Sequence, residues 1–133
     1  MTDEGGNASR PRPELGLGGG FPRYGDIYDV ELDPVVGAEI GKRRPALVVS
    51  NDLNNEFSGT VTVLPITGQA ALKQYPFEVL VPRDVAGLTV DSRIKANQVR
   101  TVDKRRLMNF RGLLSSEYLP AVEKAIKVHL NMR

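Results

Sequence analysis

Short apolar runs with a two-residue period, separated by turn formers, dominate this chain, and a helical period is found only at its end. In YGDIYDVEL, Tyr28, Val30 and Leu32 fall on one face of a strand while Asp29 and Glu31 fall on the other, the alternation expected when one face is buried. Residues 46–50 open on a continuous apolar run that predicts a central strand. The stretch 51–59 is dense in turn formers, with Asn51, Asp52, Asn54, Asn55 and Gly59, and reads as a loop. Alternation resumes over 60–66 with β-branched residues, and Pro65 suggests an edge or a bulge near its end. Further strands are expected over 77–81, between Pro76 and Pro82, over 92–102 as one longer strand, and over 107–114. The closing helix can be capped by Ser115 or Ser116, tolerates Pro120 in its first turn, and repeats Leu119, Val122, Ile126 and Leu130 at helical spacing, with Tyr118, Ala125 and His129 beside them. Five or six short strands and one terminal helix define a mainly β protein, a small antiparallel barrel or strongly bent sheet.

A chain of 133 residues is long enough for one core. Residues 1–20 carry six glycines, two prolines and almost no large apolar side chain, so they are expected to form a disordered tail, leaving 21–133 as the folded domain. No apolar stretch reaches the ~18 residues of a membrane helix, and the first thirty residues lack the apolar core of a signal peptide, so a cytoplasmic location is expected. The absence of cysteine excludes disulfides, thiolate zinc sites and a cysteine nucleophile. The single histidine, His129, excludes any scheme needing a pair and is expected to be structural. Asp26, Asp29, Glu31 and Asp33 read as a solubilising group rather than a metal site.

Chemistry is then left to basic residues and a loop. Residues 33–45 form a connection longer than the usual hairpin of ~2 to 5 residues, and such surplus length is often functional. It carries Glu39, Lys42, Arg43 and Arg44, the last held by Pro45 and the strand that follows. A guanidinium so anchored can hold two oxygens of a phosphate in a defined orientation, which a lysine cannot do as well. Between positions 91 and 111 seven basic residues (Arg93, Lys95, Arg100, Lys104, Arg105, Arg106, Arg111) stand against two acids (Asp91, Asp103), an excess of five. That balance suits a phosphate backbone or an acidic polypeptide, with a solvated charged face as the plain alternative.

RYGDIYDVELDPVVGAEIGKRRPALVVSNDLNNEF, followed by TVTVLPIT and NQVRTVDKRRL, resembles the MazF/PemK/Kid family of toxin ribonucleases. The resemblance runs from Arg23 to the terminal helix and implies an SH3-like antiparallel β-barrel with a C-terminal helix. It implies a homodimer that cuts single-stranded RNA at a short sequence without a metal or other cofactor, restrained by a MazE-like antitoxin with an extended acidic C-terminal segment. Carried over by position, the catalytic arginine falls on Arg44 and the catalytic threonine on Thr67, with Glu39 at the place of a loop glutamate used by some members. Gln98 and its neighbours fall where members contact RNA bases. Some branches have an acid immediately before that glutamine; this chain has Asn97, so a scheme using that acid as the base fails here. Lys42, Arg43, Lys95, Asn97, Gln98 and Arg100 are the expected RNA contacts, with Arg93, Lys95 and Arg100 along one face of the strand over 92–102. Two other readings remain: a non-catalytic CcdB-like gyrase poison, which relies on a tryptophan near the C-terminus that this chain lacks, and a plain SH3-like nucleic-acid-binding module.

Overall fold

β3 (Thr60–Thr67) is the strand on which the sheet turns. In the computed structural model, which describes residues 20–68 and 73–133, it has β2 (Arg43–Val48) along one side and changes neighbours on the other. There its first half pairs with β6 (Arg100–Asp103), from Thr60 opposite Asp103 to Val63 opposite Arg100, and its last two residues pair with β5 (Ser92–Lys95). With β1 (Asp26–Glu31), β4 (Glu78–Val81) and β7 (Leu107–Leu113), the antiparallel sheet has seven strands in the order β4-β5-β3-β2-β1-β7, β6 lying beside β3 off that path. The chain is mainly β with a C-terminal helix, as its patterning requires.

Burial shows why the central strands are apolar without interruption. β1, β2 and β3 give alternate residues to two cores on opposite faces: Ile27, Leu47 and Leu64 to one, Tyr28, Ala46 and Val63 to the other. The first core is closed by Val122 and Ala125 of the helix α2 (Leu119–His129). The second is closed by Val102 and Leu107 and by Ile40 from the long loop. At ~1.5 to 3 kcal/mol for each fully buried aliphatic side chain, this two-sided burial holds the sheet in its bend.

Several expectations change. The stretch 51–59 contains a helix, α1 (Asp52–Phe57), because Asn51 caps it by accepting from the Asn54 N–H at 2.8 Å. Pro65 marks neither an edge nor a bulge: it sits between the β6-paired and β5-paired parts of β3, where the missing N–H breaks no ladder on that side. The expected strand over 92–102 is two strands joined by a 3-10 turn, Ala96–Gln98, since the chain must leave one half of β3 and meet the other. Neither serine caps α2 with its side chain; a 3-10 turn, Ser116–Tyr118, leads into it, and Pro120 lies in its first turn as expected. Leu130 falls outside the buried stripe, exposed past the helix end, and His129 is exposed with its ring edge-on to Phe77 at 6.3 Å. Apart from Gly20, the expected tail lies outside the described residues. No described helix is long and apolar enough to cross a membrane.

α1 is joined to the sheet by one buried amide. Asn55 Nδ2 donates to the Ser50 carbonyl at 2.8 Å, its Oδ1 accepts from the Ser50 hydroxyl at 2.5 Å, and that hydroxyl accepts from the Thr62 N–H at 2.9 Å. Asn55→Leu strands these groups away from water and is expected to cost about 2 to 3 kcal/mol in urea unfolding, against under ~0.5 kcal/mol for the exposed Leu53→Ser on the same helix.

Candidate functional site

The loop between β1 and β2 is closed at its base by the Leu32 N–H, which donates to the Lys42 carbonyl at 2.9 Å. Side chains from the segment 98–106 hold it. Gln98 Oε1 accepts from the Ile40 N–H at 3.2 Å, and Arg100 donates to the Leu32 carbonyl at 2.8 Å. Arg106 donates to the carbonyls of Glu31, at 3.0 Å, and Asp33. Gly41 is required by close approach: a Cβ there would lie 2.4 Å from Asp33 Oδ1 and 2.8 Å from Val35 Cγ2. Its neighbour Lys42 takes a left-handed φ of 67°, uncommon for a lysine and tolerated here by the bonds on either side.

Between this loop and the 3-10 turn lies a cleft of about 590 Å³. Glu39, Asn97, Gln98 and Arg100 supply its polar wall, and Pro65 of β3 lies within it. Glu39 is exposed and uses one oxygen to accept from the Val36 N–H at 2.9 Å. Asn97 Oδ1 is buried and is the one buried side-chain polar atom without a partner among the described residues. Gln98 has its carbonyl oxygen committed to Ile40, which leaves its amide hydrogens for a ligand.

β2 and β3 pair Ala46 with Pro65 and Leu47 with Leu64, and their ladder ends there. By alternation Arg44 shares the face of Ala46 and Thr67 that of Pro65, each two residues past the last pair. Neither lines the cleft, although Pro65 does. Arg44 Nε donates to the Gly41 carbonyl at 3.0 Å, which fixes the guanidinium through its loop as well as through Pro45. Lys42, Arg43 and Lys95 do not line the cleft. Arg43 faces Glu31 at 3.6 Å, and Lys95 meets Glu78 at 2.5 Å.

The expected basic face is corrected. Alternation alone separates Arg100 from Arg93 and Lys95, and the 3-10 turn separates them further. Arg93 is buried against Glu78 at 2.5 Å. Arg105 pairs with Asp103 at 3.0 Å and Arg111 with Asp29 at 3.1 Å, which also gives Asp29 a partner on its half-exposed face. Asp26, grouped with Asp29 by sequence, is buried and accepts from the Arg23 N–H at 2.8 Å. Sequence reasoning missed Arg106 as a loop clasp and Ile40 as the loop's anchor; an apolar residue inside a polar loop was the available signal for the second.

An antiparallel sheet with a terminal helix, carrying a polar cleft between the β1–β2 loop and a 3-10 turn, defines a small, mainly β protein. Residues 23–130 match the family model described as PemK-like, MazF-like toxin of type II toxin-antitoxin system, and the chain belongs to that family. It is 40% identical over 115 residues to the endoribonuclease MazF9 of Mycobacterium tuberculosis, covering 83% of this chain and 97% of that protein. Among solved structures, MazF from Deinococcus radiodurans superposes with a TM-score of 0.73 at 31% identity, covering 84% of this chain and 98% of that one. A MazE-MazF structure from the same organism gives 0.67 at 27% identity, covering 85% and 98%.

Glu78, under the β4–β5 end of the sheet, gives this region a pH dependence. Burial pushes its carboxyl up, but the Lys95 ammonium, the Tyr75 N–H and the Arg93 guanidinium together outweigh that and hold it below its ordinary value of 4.5. A carboxylate held low in the folded state stabilises above its unfolded value, and that stability is lost as pH falls through the folded one. Urea unfolding is therefore expected to weaken more from about pH 5 to about pH 3 in the wild type than in Glu78→Gln; parallel profiles would contradict the assignment.

Proposed function

We propose that this chain is the endoribonuclease toxin of a type II toxin-antitoxin pair, cutting single-stranded RNA at a short sequence without a metal. The observation that supports the reading is membership of this toxin family together with a cleft walled by Glu39, Gln98 and Arg100; the β2–β3 register, extended two residues past Ala46 and Pro65, would set Arg44 across from Thr67. The 2′-hydroxyl of a ribose attacks the adjacent phosphorus, the 5′-oxygen of the next nucleotide leaves, and the products carry a 2′,3′-cyclic phosphate and a 5′-hydroxyl. Arg44 spreads the charge that builds on the phosphoryl oxygens and protonates the leaving oxygen, Thr67 donates to a non-bridging oxygen, and Glu39 takes the proton of the 2′-hydroxyl. A protonated guanidinium has no lone pair with which to take a proton, which is why the proton goes to Glu39. The free amide hydrogens of Gln98 present a donor to an unstacked base.

The partner is an antitoxin of MazE type whose acidic C-terminal segment competes with RNA for the cleft, a reading supported by the MazE-MazF relative. The toxin acts in the cytoplasm as a homodimer, and the apolar side chains exposed beyond α2, Leu130 at 50% and Met132 at 58%, are suited to an interface.

Incubating the protein with mixed-sequence RNA in EDTA and mapping the ends tests this directly. Cuts at one short sequence with cyclic-phosphate ends are expected; RNA that is retarded on a gel but intact identifies a binding module instead. In the same assay Arg44→Ala is expected to lower kcat by ~10³-fold or more, having lost both charge stabilisation and the acid, while Glu39→Gln lowers it by ~10²-fold. Equal, mild losses would refute this division of roles.

A further inference from the structure

We propose that Glu78, Arg93 and Lys95 form a buried ionic brace that positions Thr67 for the cleavage step, with Glu78 as the residue on which the other two depend. The inference rests on the ribonuclease reading above. Thr67 is the last residue of β3, and across the β3–β5 ladder it stands opposite Arg93. The Arg93 side chain, only 6% exposed, turns inward, where Nη1 meets Glu78 Oε1 at 2.5 Å and the Lys73 carbonyl at 2.8 Å. Glu78, 3% exposed, takes Lys95 on its other oxygen at 2.5 Å and accepts the Tyr75 N–H at 3.3 Å on the first. One carboxylate thus gathers the strand that pairs with Thr67, the segment that returns after it, and the start of β4.

One feature sets this cluster apart from an ordinary staple. A buried ion pair is seldom more stabilising than apolar side chains of similar volume, so stability alone does not call for three charges in this place. Fixed geometry does, because a hydroxyl that must meet one phosphoryl oxygen loses about 10²-fold in rate for a displacement near 1 Å.

A double-mutant cycle between Glu78 and Thr67 tests this, with kcat and KM measured on an RNA oligonucleotide carrying the mapped cut site and each variant checked by thermal melting. Glu78→Gln is expected to lower kcat about 10-fold with little change in KM, Thr67→Val about 10²-fold, and the double variant no further than Thr67→Val alone, since Glu78 acts through the threonine. Multiplying losses, or an unchanged kcat in folded Glu78→Gln, overturn the brace. Should Glu78→Gln not fold, the paired change Glu78→Met with Arg93→Met fills the same space without charge and enters the cycle in its place, read by the same criterion. Wild-type protein that leaves RNA intact overturns the ribonuclease reading and this one with it, whereas a wild type that cuts, with independent losses at the two positions, overturns the brace alone.

Discussion

A guanidinium that donates to a carbonyl keeps its whole charge, while one that meets a carboxylate gives most of its field away, and the electrostatics of this protein follow from which acceptor each arginine finds. Arg105 and Arg111 meet carboxylates and are neutralised in place, and Arg43 faces one across 3.6 Å. Arg44, Arg100 and Arg106 bond to backbone carbonyls and, among the described residues, to no carboxylate. Those three border the long loop or line the cleft. Which guanidiniums keep an uncompensated charge is therefore set by the acceptors they find rather than by the number of basic residues in any stretch, and in the cleft Arg100 stands with the Glu39 carboxylate.

The same bonds settle the shape of the loop. Its base is closed by a backbone bond, Ile40 is seated on the second core, and Gln98, Arg100 and Arg106 reach across from the β6 side. Because the clasping residues also line or border the cleft, the wall that would receive a ligand is built before any ligand arrives. A site organised in advance spends less of its binding energy on ordering itself. Pro65, also in the cleft, lies where β3 changes partners.

Much of the fold was legible because alternation reports burial directly. Tyr28, Val30 and Leu32 are buried as their spacing requires, and Val122 and Ala125 turn the terminal helix inward. What escaped was set by distant contacts. Nothing local in IKANQVR announces a break; the turn over Ala96–Gln98 exists because β5 and β6 flank different halves of one strand. Asn-rich residues 51–59 carry weak helical propensity, and α1 forms because its cap and the buried Asn55 amide satisfy groups that a loop would expose. At the site, Arg44 was marked by its proline, and Thr67 by family resemblance. Arg93 and Lys95 looked like members of an exposed track, and only the folded chain shows that both turn to Glu78.

Salt dependence of RNA binding tests most directly the claim that acceptor choice, rather than the count of basic residues, decides which arginines a phosphate backbone meets. The measurement is fluorescence anisotropy on an RNA carrying a 2′-deoxy nucleotide at the cut site, which binds without being cleaved, from about 50 to about 200 mM salt. Arg100→Met is predicted to lower the slope of log K against log salt by roughly 0.7 to 1, the loss of about one phosphate contact, and Arg105→Met to leave it unchanged. An equal drop for both variants, or none for Arg100→Met, would contradict the account.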